Sequence, residues 1–141
     1  MRYALGFLKP DCIKRNLEEI VYRIIETSGL RVVFKRRMSL DITMAEKLYS
    51  EWKDRSFYGP LCRYMVSGPI EVFIVEGDNA IERLQELVGE CGSVIASSNT
   101  IRGRFAISDR ENVIHSTTNE KTFRREAELL LGEEAKKWIK L

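Results

Sequence analysis

The clearest strand in the sequence is "IEVFIVEG", residues 70–77. Its β-branched and aromatic residues predict a strand, and the glycine at its end predicts a stop. Immediately after it, Asp78 or Asn79 opens a predicted helix that runs through Val88, with Gly89 just past its end. Before it, a short helical segment is predicted to end at residues 67–69, Ser-Gly-Pro. The centre of the chain is therefore predicted as a helix–strand–helix unit.

The N-terminal part predicts a strand, a helix, a second strand and a second helix. "RYALGFL", residues 2–8, is a short apolar strand that ends at "KPD". Asn16 followed by Glu19 resembles a capping box for the first helix, and "RVVFKRRMSL", residues 31–40, predicts the second strand. Thr43 and Glu46 form a second capping-box pattern. A loop containing "KDRSFYGP", residues 53–60, then leads to the central unit.

The C-terminal part predicts one more strand and a long helix. Residues 90–101 show no firm period and are expected to form a loop, while "RFAI", residues 104–107, is expected to be extended. "NVIH", residues 112–115, predicts the final strand, and "EKTFRREAELLL", residues 120–131, is an amphipathic helix. With the short helical additions between the second and third strands set aside, the order is βαββαβ plus a C-terminal helix. It predicts an α/β, ferredoxin-like sandwich with an antiparallel four-stranded sheet and helices packed on one face.

Composition narrows the possible classes of protein. The 141 residues suit a single domain spanning 1–141, and 23 basic against 21 acidic residues leave a net charge of only +2. That balance does not favour nucleic-acid or membrane-surface binding, and no apolar run approaches the roughly 18 residues of a membrane span. Cys12, Cys62 and Cys91 have no CxxC spacing. Three reduced thiols in a cytoplasmic protein are therefore expected.

The single histidine of the chain lies in "NVIHSTTN", residues 112–119. Three basic residues occur where other predicted elements end or in loops: Lys9, Arg55 and Arg102. Each one alone fits a solvated surface charge. Gathered around an imidazole, they would suit a polyphosphate. A neutral imidazole is nucleophilic near pH 7, so the combination suggests phosphoryl transfer through a phosphohistidine.

Five short motifs occur in a specific order and spacing. They are "LKPD" (8–11), "KDRSFY" (53–58), "YMVSGPI" (64–70), "TIRGRF" (100–105) and "NVIH" (112–115). With them the chain resembles the nucleoside diphosphate kinases along nearly its full length, without a gap between Lys9 and Glu126. The fold of that family is the same ferredoxin-like sandwich, which the element order predicts independently.

The resemblance implies a ping-pong reaction in which a nucleoside triphosphate phosphorylates His115 and a nucleoside diphosphate then accepts the phosphoryl group. Glu126 matches the carboxylate that orients the histidine, and Lys9 is the third residue with a catalytic role. Phe57 matches the aromatic that stacks on the base, and Leu61 an apolar neighbour. The residues that match phosphate- and sugar-binding positions are Lys9, Tyr49, Arg55, Arg102 and Asn112.

The resemblance also implies a cofactor and an assembly. Mg²⁺ would be held mainly through the phosphates of the substrate and water, so no side chain is expected to ligate the metal directly. Members of the family form homohexamers, or tetramers in some bacteria, and a homo-oligomer of one of these sizes is expected here.

The sequence departs from the family pattern around the site. Gln85 stands where a phosphate-binding arginine is usual, and Cys91 where a threonine contacts phosphate. After the histidine, Ser116, Thr117 and Thr118 replace Gly or Ala, Ser and Asp; Thr117 keeps the hydroxyl, whereas Thr118 lacks the carboxylate. Loss of one charged hydrogen bond costs about 1.5–3 kcal/mol, which corresponds to roughly one to two orders of magnitude in rate.

The sequence departs from the family pattern at two further positions. Arg104 stands where the family often has an Asp and is a candidate to compensate for Gln85, while Asp109 replaces an apolar residue expected near the base.

One alternative function is that of a family member that binds nucleotides with weak or no kinase activity. The other is an RNA-binding module, because the RRM shares the βαββαβ order. The RRM alternative is disfavoured because Arg104 stands where a stacking aromatic is required.

Overall fold

The computed structural model describes residues 2–89 and 99–139. Within them, four strands form one antiparallel sheet in the order β2-β3-β1-β4. The strands are β1 (Tyr3–Leu8), β2 (Arg31–Met38), β3 (Ile70–Glu76) and β4 (Ile114–Ser116). This order and pairing confirm the ferredoxin-like sandwich.

Seven α-helices and two 3₁₀ turns connect these strands in the described part of the chain. The helices are α1 (Pro10–Lys14), α2 (Glu18–Thr27), α3 (Ile42–Leu48), α4 (Tyr58–Met65), α5 (Ala80–Val88), α6 (Ile101–Phe105) and α7 (Glu120–Leu131). The 3₁₀ turns are Ser50–Trp52 and Gly132–Lys137. None of the helices in residues 2–89 and 99–139 is both long and apolar enough to cross a membrane.

The central strands β1 and β3 form the core of the molecule. Every residue of β1 after Tyr3 is buried, which means that both faces of this strand are covered. On one face the Tyr22 ring of α2 meets Phe73 of β3 edge-on, at 5.5 Å between ring centroids. On the other face Glu126 of α7 bonds to His115 of β4. Helix α7 thus covers the face of the sheet opposite to the one that α2 covers. Strand β4 belongs to the sheet between these two helices.

The strongly patterned elements agree with the sequence predictions. The strands at 2–8, 31–40 and 70–77, the helix ending at Val88 and the helix at 120–131 are all confirmed, with small shifts at their ends. The amphipathic segments repeat their apolar residues at the spacing of either a helix or a strand, so the pattern indicates which element forms.

Predictions that relied on local capping or short loops were wrong in several places. Asn16 is not an N-cap: it has φ 56°, and Leu17 takes that position without a side-chain hydrogen bond. Helix α3 is capped by Asp41, whose Oδ1 accepts from Met44 N at 2.8 Å, and not by Thr43. For Thr43 a competing polar residue, Asp41, lies two positions earlier, and local spacing does not choose between them.

The segment before β4 was also mispredicted. "RFAI" was expected to be extended, but Arg104 and Phe105 end helix α6, which begins after Thr100 caps Gly103 N at 3.0 Å. Of the loop expected at 90–101, residues 90–98 lie outside the described residues and Ile101 is helical. The last strand starts at Ile114, because Asn112 and Val113 form a turn before it.

Candidate active site

His115 lies in β4 and is held from two sides. It pairs with Phe7 of β1, and the Phe7 ring stacks on the imidazole at 4.5 Å between centroids, with 21° between planes. Its Nε2 is 2.7 Å from Glu126 Oε1. When Nε2–H donates to this carboxylate, Nδ1 of a neutral imidazole carries the lone pair. In that arrangement, Nδ1 is the ring nitrogen whose lone pair could attack an electrophile.

Helix α7 fixes the position of Glu126. The helix begins at a capping box in which Asn119 Oδ1 accepts from Thr122 N at 2.8 Å. It is tied to the end of α3 by Arg125, whose guanidinium donates to the carbonyls of Lys47 and Leu48 at 3.1 and 3.0 Å. Glu126 is buried, so its carboxylate has little water around it and its bond to His115 is strengthened.

Arg102 lies directly beside the strand that carries His115. Its Nε and Nη2 donate to the carbonyl of Ile114 at 3.2 and 2.9 Å, and its Nη1 donates to Gly89 O at 3.2 Å. Arg102 belongs to α6, a helix that was not predicted from the sequence. The guanidinium thus brings a positive charge next to β4, the strand that carries His115.

Lys9 and Asn112 lie at the ends of β1 and β4 where the two strands meet. Both are buried, and Lys9 N donates to Val113 O at 2.8 Å. Asn112 Nδ2 donates to Asp109 O at 2.8 Å. The strand pairing therefore carries both predicted residues to the edge of the sheet that holds His115.

Two buried side-chain polar atoms among residues 2–89 and 99–139 have no hydrogen-bond partner: Tyr49 Oη and Asn112 Oδ1. Both belong to residues that the sequence predicts to bind nucleotide. Burial, and next the charge of Glu126, raise the pKa of Tyr49, so its phenol stays protonated and can donate. An unsatisfied buried polar group is costly, so each of these atoms is suited to a bound ligand.

The loop of residues 53–57 presents Arg55 and Phe57 to solvent. The Arg55 guanidinium lies over the Phe57 ring at 5.4 Å, and the ring remains 39% exposed. The Trp52 ring stacks on Tyr49 and is tilted against Phe57, with 6.0 Å between centroids in both pairs. A row of three aromatic rings therefore joins this loop to the buried end of α3, while Leu61 packs half-buried on α4.

The departures from the family pattern occupy different environments. Thr117 is buried and continues the strand pairing, since its N donates to Leu5 O at 2.9 Å and its Oγ1 accepts from Leu5 N at 3.4 Å. Thr118 is exposed at the start of α7, where its N donates to Thr122 Oγ1 at 3.1 Å. Ser116 is buried on the face opposite to His115, because adjacent side chains of a strand alternate.

The remaining departures lie farther along the chain. Gln85 is half-buried on α5, and Cys91 lies outside the described residues. The Arg104 guanidinium lies over the Phe105 ring at 5.1 Å. Its compensation for Gln85 stays a prediction, as does the effect of Asp109, which is exposed.

Sequence reasoning missed the part played by Asp11. Its Oδ2 accepts a hydrogen bond from Val113 N at 3.1 Å, across 102 residues of sequence. Asp11 belongs to the motif "LKPD", which was the only available signal. No local pattern indicates that this carboxylate reaches the turn before the histidine.

The comparisons with known proteins agree over most of the chain. A family model described as "Nucleoside diphosphate kinase" matches residues 3–135. A nucleoside diphosphate kinase of Ignicoccus hospitalis is 37% identical over 134 residues, covering 95% of this chain and 91% of the relative. One of Methanocaldococcus jannaschii is 37% identical over 127 residues, covering 90% of this chain and 91% of the relative.

Two solved structures share the fold. The apo nucleoside diphosphate kinase of Encephalitozoon cuniculi has a TM-score of 0.91 at 26% identity and covers 99% of this chain and 100% of its own. That of Halobacterium salinarum, in complex with CDP, has a TM-score of 0.89 at 28% identity, over 94% of this chain and 89% of its own. Given the extent of these matches, the chain belongs to the nucleoside diphosphate kinase family.

Proposed function

We propose that this protein transfers the γ-phosphoryl group of a nucleoside triphosphate to a nucleoside diphosphate through a phosphohistidine at His115. The observation that carries the proposal is the 2.7 Å contact between His115 Nε2 and the buried Glu126 carboxylate. A neutral imidazole held in this way has its lone pair on Nδ1. Membership of the family supplies the reaction class.

The transfer would take place in two balanced steps. Nδ1 attacks the γ-phosphorus, the bond from that phosphorus to the β–γ bridging oxygen breaks, and the nucleoside diphosphate leaves. A terminal oxygen of a second diphosphate then attacks the phosphorus, and the P–N bond breaks to restore the imidazole. Glu126 stabilises the positive charge on the ring while it carries the phosphoryl group, as a carboxylate does beside other catalytic histidines.

The cations and the two unpartnered polar atoms suit different parts of the nucleotide. Lys9, Arg55 and Arg102 would stabilise the charge on the phosphate oxygens, which is the main task in phosphoryl transfer. The Tyr49 hydroxyl is a donor and also suits a phosphate oxygen. Asn112 Oδ1 is an acceptor, so it suits a hydroxyl of the sugar.

The exposed Phe57 ring would stack on the base, with Leu61 as its apolar neighbour. Stacking discriminates poorly among bases, because every base has a π face. We therefore propose broad nucleobase specificity.

Mg²⁺ is the proposed cofactor. Among the described residues there is no group of three or more His, Cys, Asp or Glu side chains that could hold a metal ion. A metal that is bound through the phosphates and water needs no such group of side chains. When bound, Mg²⁺ would neutralise part of the phosphate charge, while Lys9 and Arg102 hold the remaining oxygens.

The assembly and location are proposed on the family resemblance and on thiol chemistry. A homohexamer or homotetramer is proposed, and light scattering on the purified protein would measure its mass. Cys12 and Cys62 are free buried thiols, which is compatible with the reducing cytoplasm.

The test is incubation with γ-labelled ATP and Mg²⁺, with His115→Asn as the control variant. Acid-labile label on the wild type, absent from the variant and transferred to added GDP, supports the proposal.

The departures at Gln85, Ser116 and Thr118 motivate a second candidate function, nucleotide binding without phosphoryl transfer. ADP binding with no label on the wild type would establish that second function and refute the first.

A further inference from the structure

A strained turn separates Asn112 from His115. Ile114 N donates to Asn112 O at 2.9 Å, which closes a three-residue γ-turn with Val113 at its centre. Val113 has φ 77°, a left-handed value that a β-branched residue strongly disfavours. Such a conformation persists only where the surrounding structure imposes it. The hydrogen bonds around Val113 must therefore hold the turn in place.

Both backbone polar groups of Val113 are bound by the segment that follows β1. Val113 O accepts from Lys9 N at 2.8 Å, and Val113 N donates to Asp11 Oδ2 at 3.1 Å. The first bond involves backbone atoms alone and is independent of side-chain identity. The second depends on a side-chain oxygen of residue 11, so Asp11 is the side chain through which the sequence controls this turn.

The Asp11 carboxylate is itself held rigidly. Asp11 is buried, its Oδ1 accepts from the Tyr64 hydroxyl of α4, and its N donates to Tyr64 Oη at 2.9 Å. Burial, followed by the bond to Asp11, raises the pKa of Tyr64, so the phenol remains a donor. The carboxylate cannot turn away from Val113 without losing the bond to Tyr64.

The turn decides where Asn112 lies relative to His115. His115 is fixed by the β1–β4 pairing and by Glu126. Asn112 precedes the paired residues, so its direction follows from the backbone angles of Val113. Its Oδ1 is buried and unpartnered, ready to accept a hydrogen bond only if the turn keeps its present form.

We propose that Asp11 is a positioning residue for phosphoryl transfer: by binding Val113 N it maintains the turn that sets Asn112 against His115. The inference rests on the proposed function and deepens it, since it names the group that aligns the sugar-binding residue with the nucleophile.

The test compares Asp11→Ala with two rescues. Asp11→Ala is expected to lower kcat/KM for the nucleoside diphosphate at least tenfold and to weaken ADP binding at least fivefold. Asp11→Asn restores most of both, because an amide oxygen still accepts from Val113 N. Adding Val113→Gly to Asp11→Ala brings both quantities to within threefold of the Val113→Gly single variant, because glycine adopts positive φ without steric cost.

A matched control separates positioning from stability. Tyr22→Phe removes a similar hydrogen bond, from Tyr22 Oη to Glu71 Oε2 at 2.6 Å, on the face away from His115. It is expected to lower Tm and to leave kcat/KM within twofold. If Asp11→Ala does not fold, Tyr64→Phe replaces it, with an expected threefold loss that Val113→Gly reverses.

Several outcomes would overturn the proposal. A folded Asp11→Ala variant with kcat/KM and ADP affinity within twofold of wild type refutes it. So does a loss that Val113→Gly fails to reverse, since Asp11 would then act elsewhere. If the wild type binds ADP but transfers no phosphate, the proposed function fails and the same variants are judged on ADP affinity. A wild type that does neither overturns both.

Discussion

At the scale of single residues, the proposed chemistry depends on the contact between His115 and Glu126. We expect Glu126→Gln to slow the formation of the phosphorylated protein by about 10–100-fold, the equivalent of one charged hydrogen bond of roughly 1.5–3 kcal/mol. The neutral amide keeps the volume but no longer stabilises positive charge on the ring. Rapid-quench labelling with γ-labelled ATP measures this rate.

Glu128→Gln is the matched control, because Glu128 is exposed on the same helix. It should label at the wild-type rate. Equal rates for the Glu126 and Glu128 variants would show that the carboxylate beside the imidazole contributes nothing to transfer.

A second prediction at this scale concerns Thr118, which stands where the family pattern has an aspartate. Thr118→Asp is expected to lower the Mg²⁺ concentration for half-maximal transfer, because a carboxylate can bind the water shell of the ion. Activity measured across a Mg²⁺ titration tests this. Thr118→Asn controls for side-chain shape without charge, and an unchanged Mg²⁺ requirement in Thr118→Asp would contradict the prediction. Any rise in Tm would report only the added negative charge at the start of α7.

At the scale of elements, the close pairing of β1 with β4 holds His115 in place. A Cβ on Gly6 would lie 2.5 Å from Phe73 Cζ and 2.7 Å from the backbone oxygen of His115. Because a backbone atom cannot rotate away, Gly6→Ala must push β4 off β1. We expect a loss of about 1–3 kcal/mol in the free energy of unfolding, typical of overpacking, together with reduced kcat.

Urea unfolding and steady-state kinetics measure the two effects of Gly6→Ala. Gly68→Ala is the matched control, since the nearest atom to a Cβ there is Pro10 Cβ at 3.5 Å, an ordinary contact. Should Gly6→Ala keep wild-type kcat, the position of β4 would not limit the reaction.

At the scale of the whole molecule, buried phenols and a buried thiol link stability to alkaline pH. Burial, and next the charge of Asp11, raise the pKa of Cys12 from 9.0 to about 12, and burial raises the pKa values of Tyr22, Tyr49 and Tyr64. The folded protein thus retains these protons to higher pH than the unfolded chain. Their stabilising contribution is complete below pH 9 and is lost as the pH rises toward 12.

We therefore expect the urea midpoint to fall steadily between pH 9 and pH 11. Cys12→Ala removes one titrating group and should show a shallower decline than the wild type. A midpoint independent of pH over this range would refute the link.

Much of the architecture and several residues of the candidate site could be predicted from the sequence. Apolar and amphipathic segments of sufficient length have one favourable way to bury their surface, so β3, α5 and α7 could be predicted directly. The single histidine among ordered motifs indicated His115 as the candidate nucleophile, with Lys9 and Arg102 as candidate phosphate-binding residues beside it. The family resemblance then added Glu126 and the nucleotide-binding residues.

The alignment of these residues depends on the tertiary structure. The His115–Glu126 contact joins residues 11 positions apart and the Asp11–Val113 bond joins residues 102 positions apart, and no local period encodes either pairing. Packing also leaves Tyr49 Oη and Asn112 Oδ1 buried without a partner. The strained φ of Val113 is likewise imposed by neighbours and runs against its own preference. Capping preferences are weak local terms, so neighbouring residues took the cap positions predicted for Asn16 and Thr43, whereas the burial pattern of the long elements held because packing enforces it.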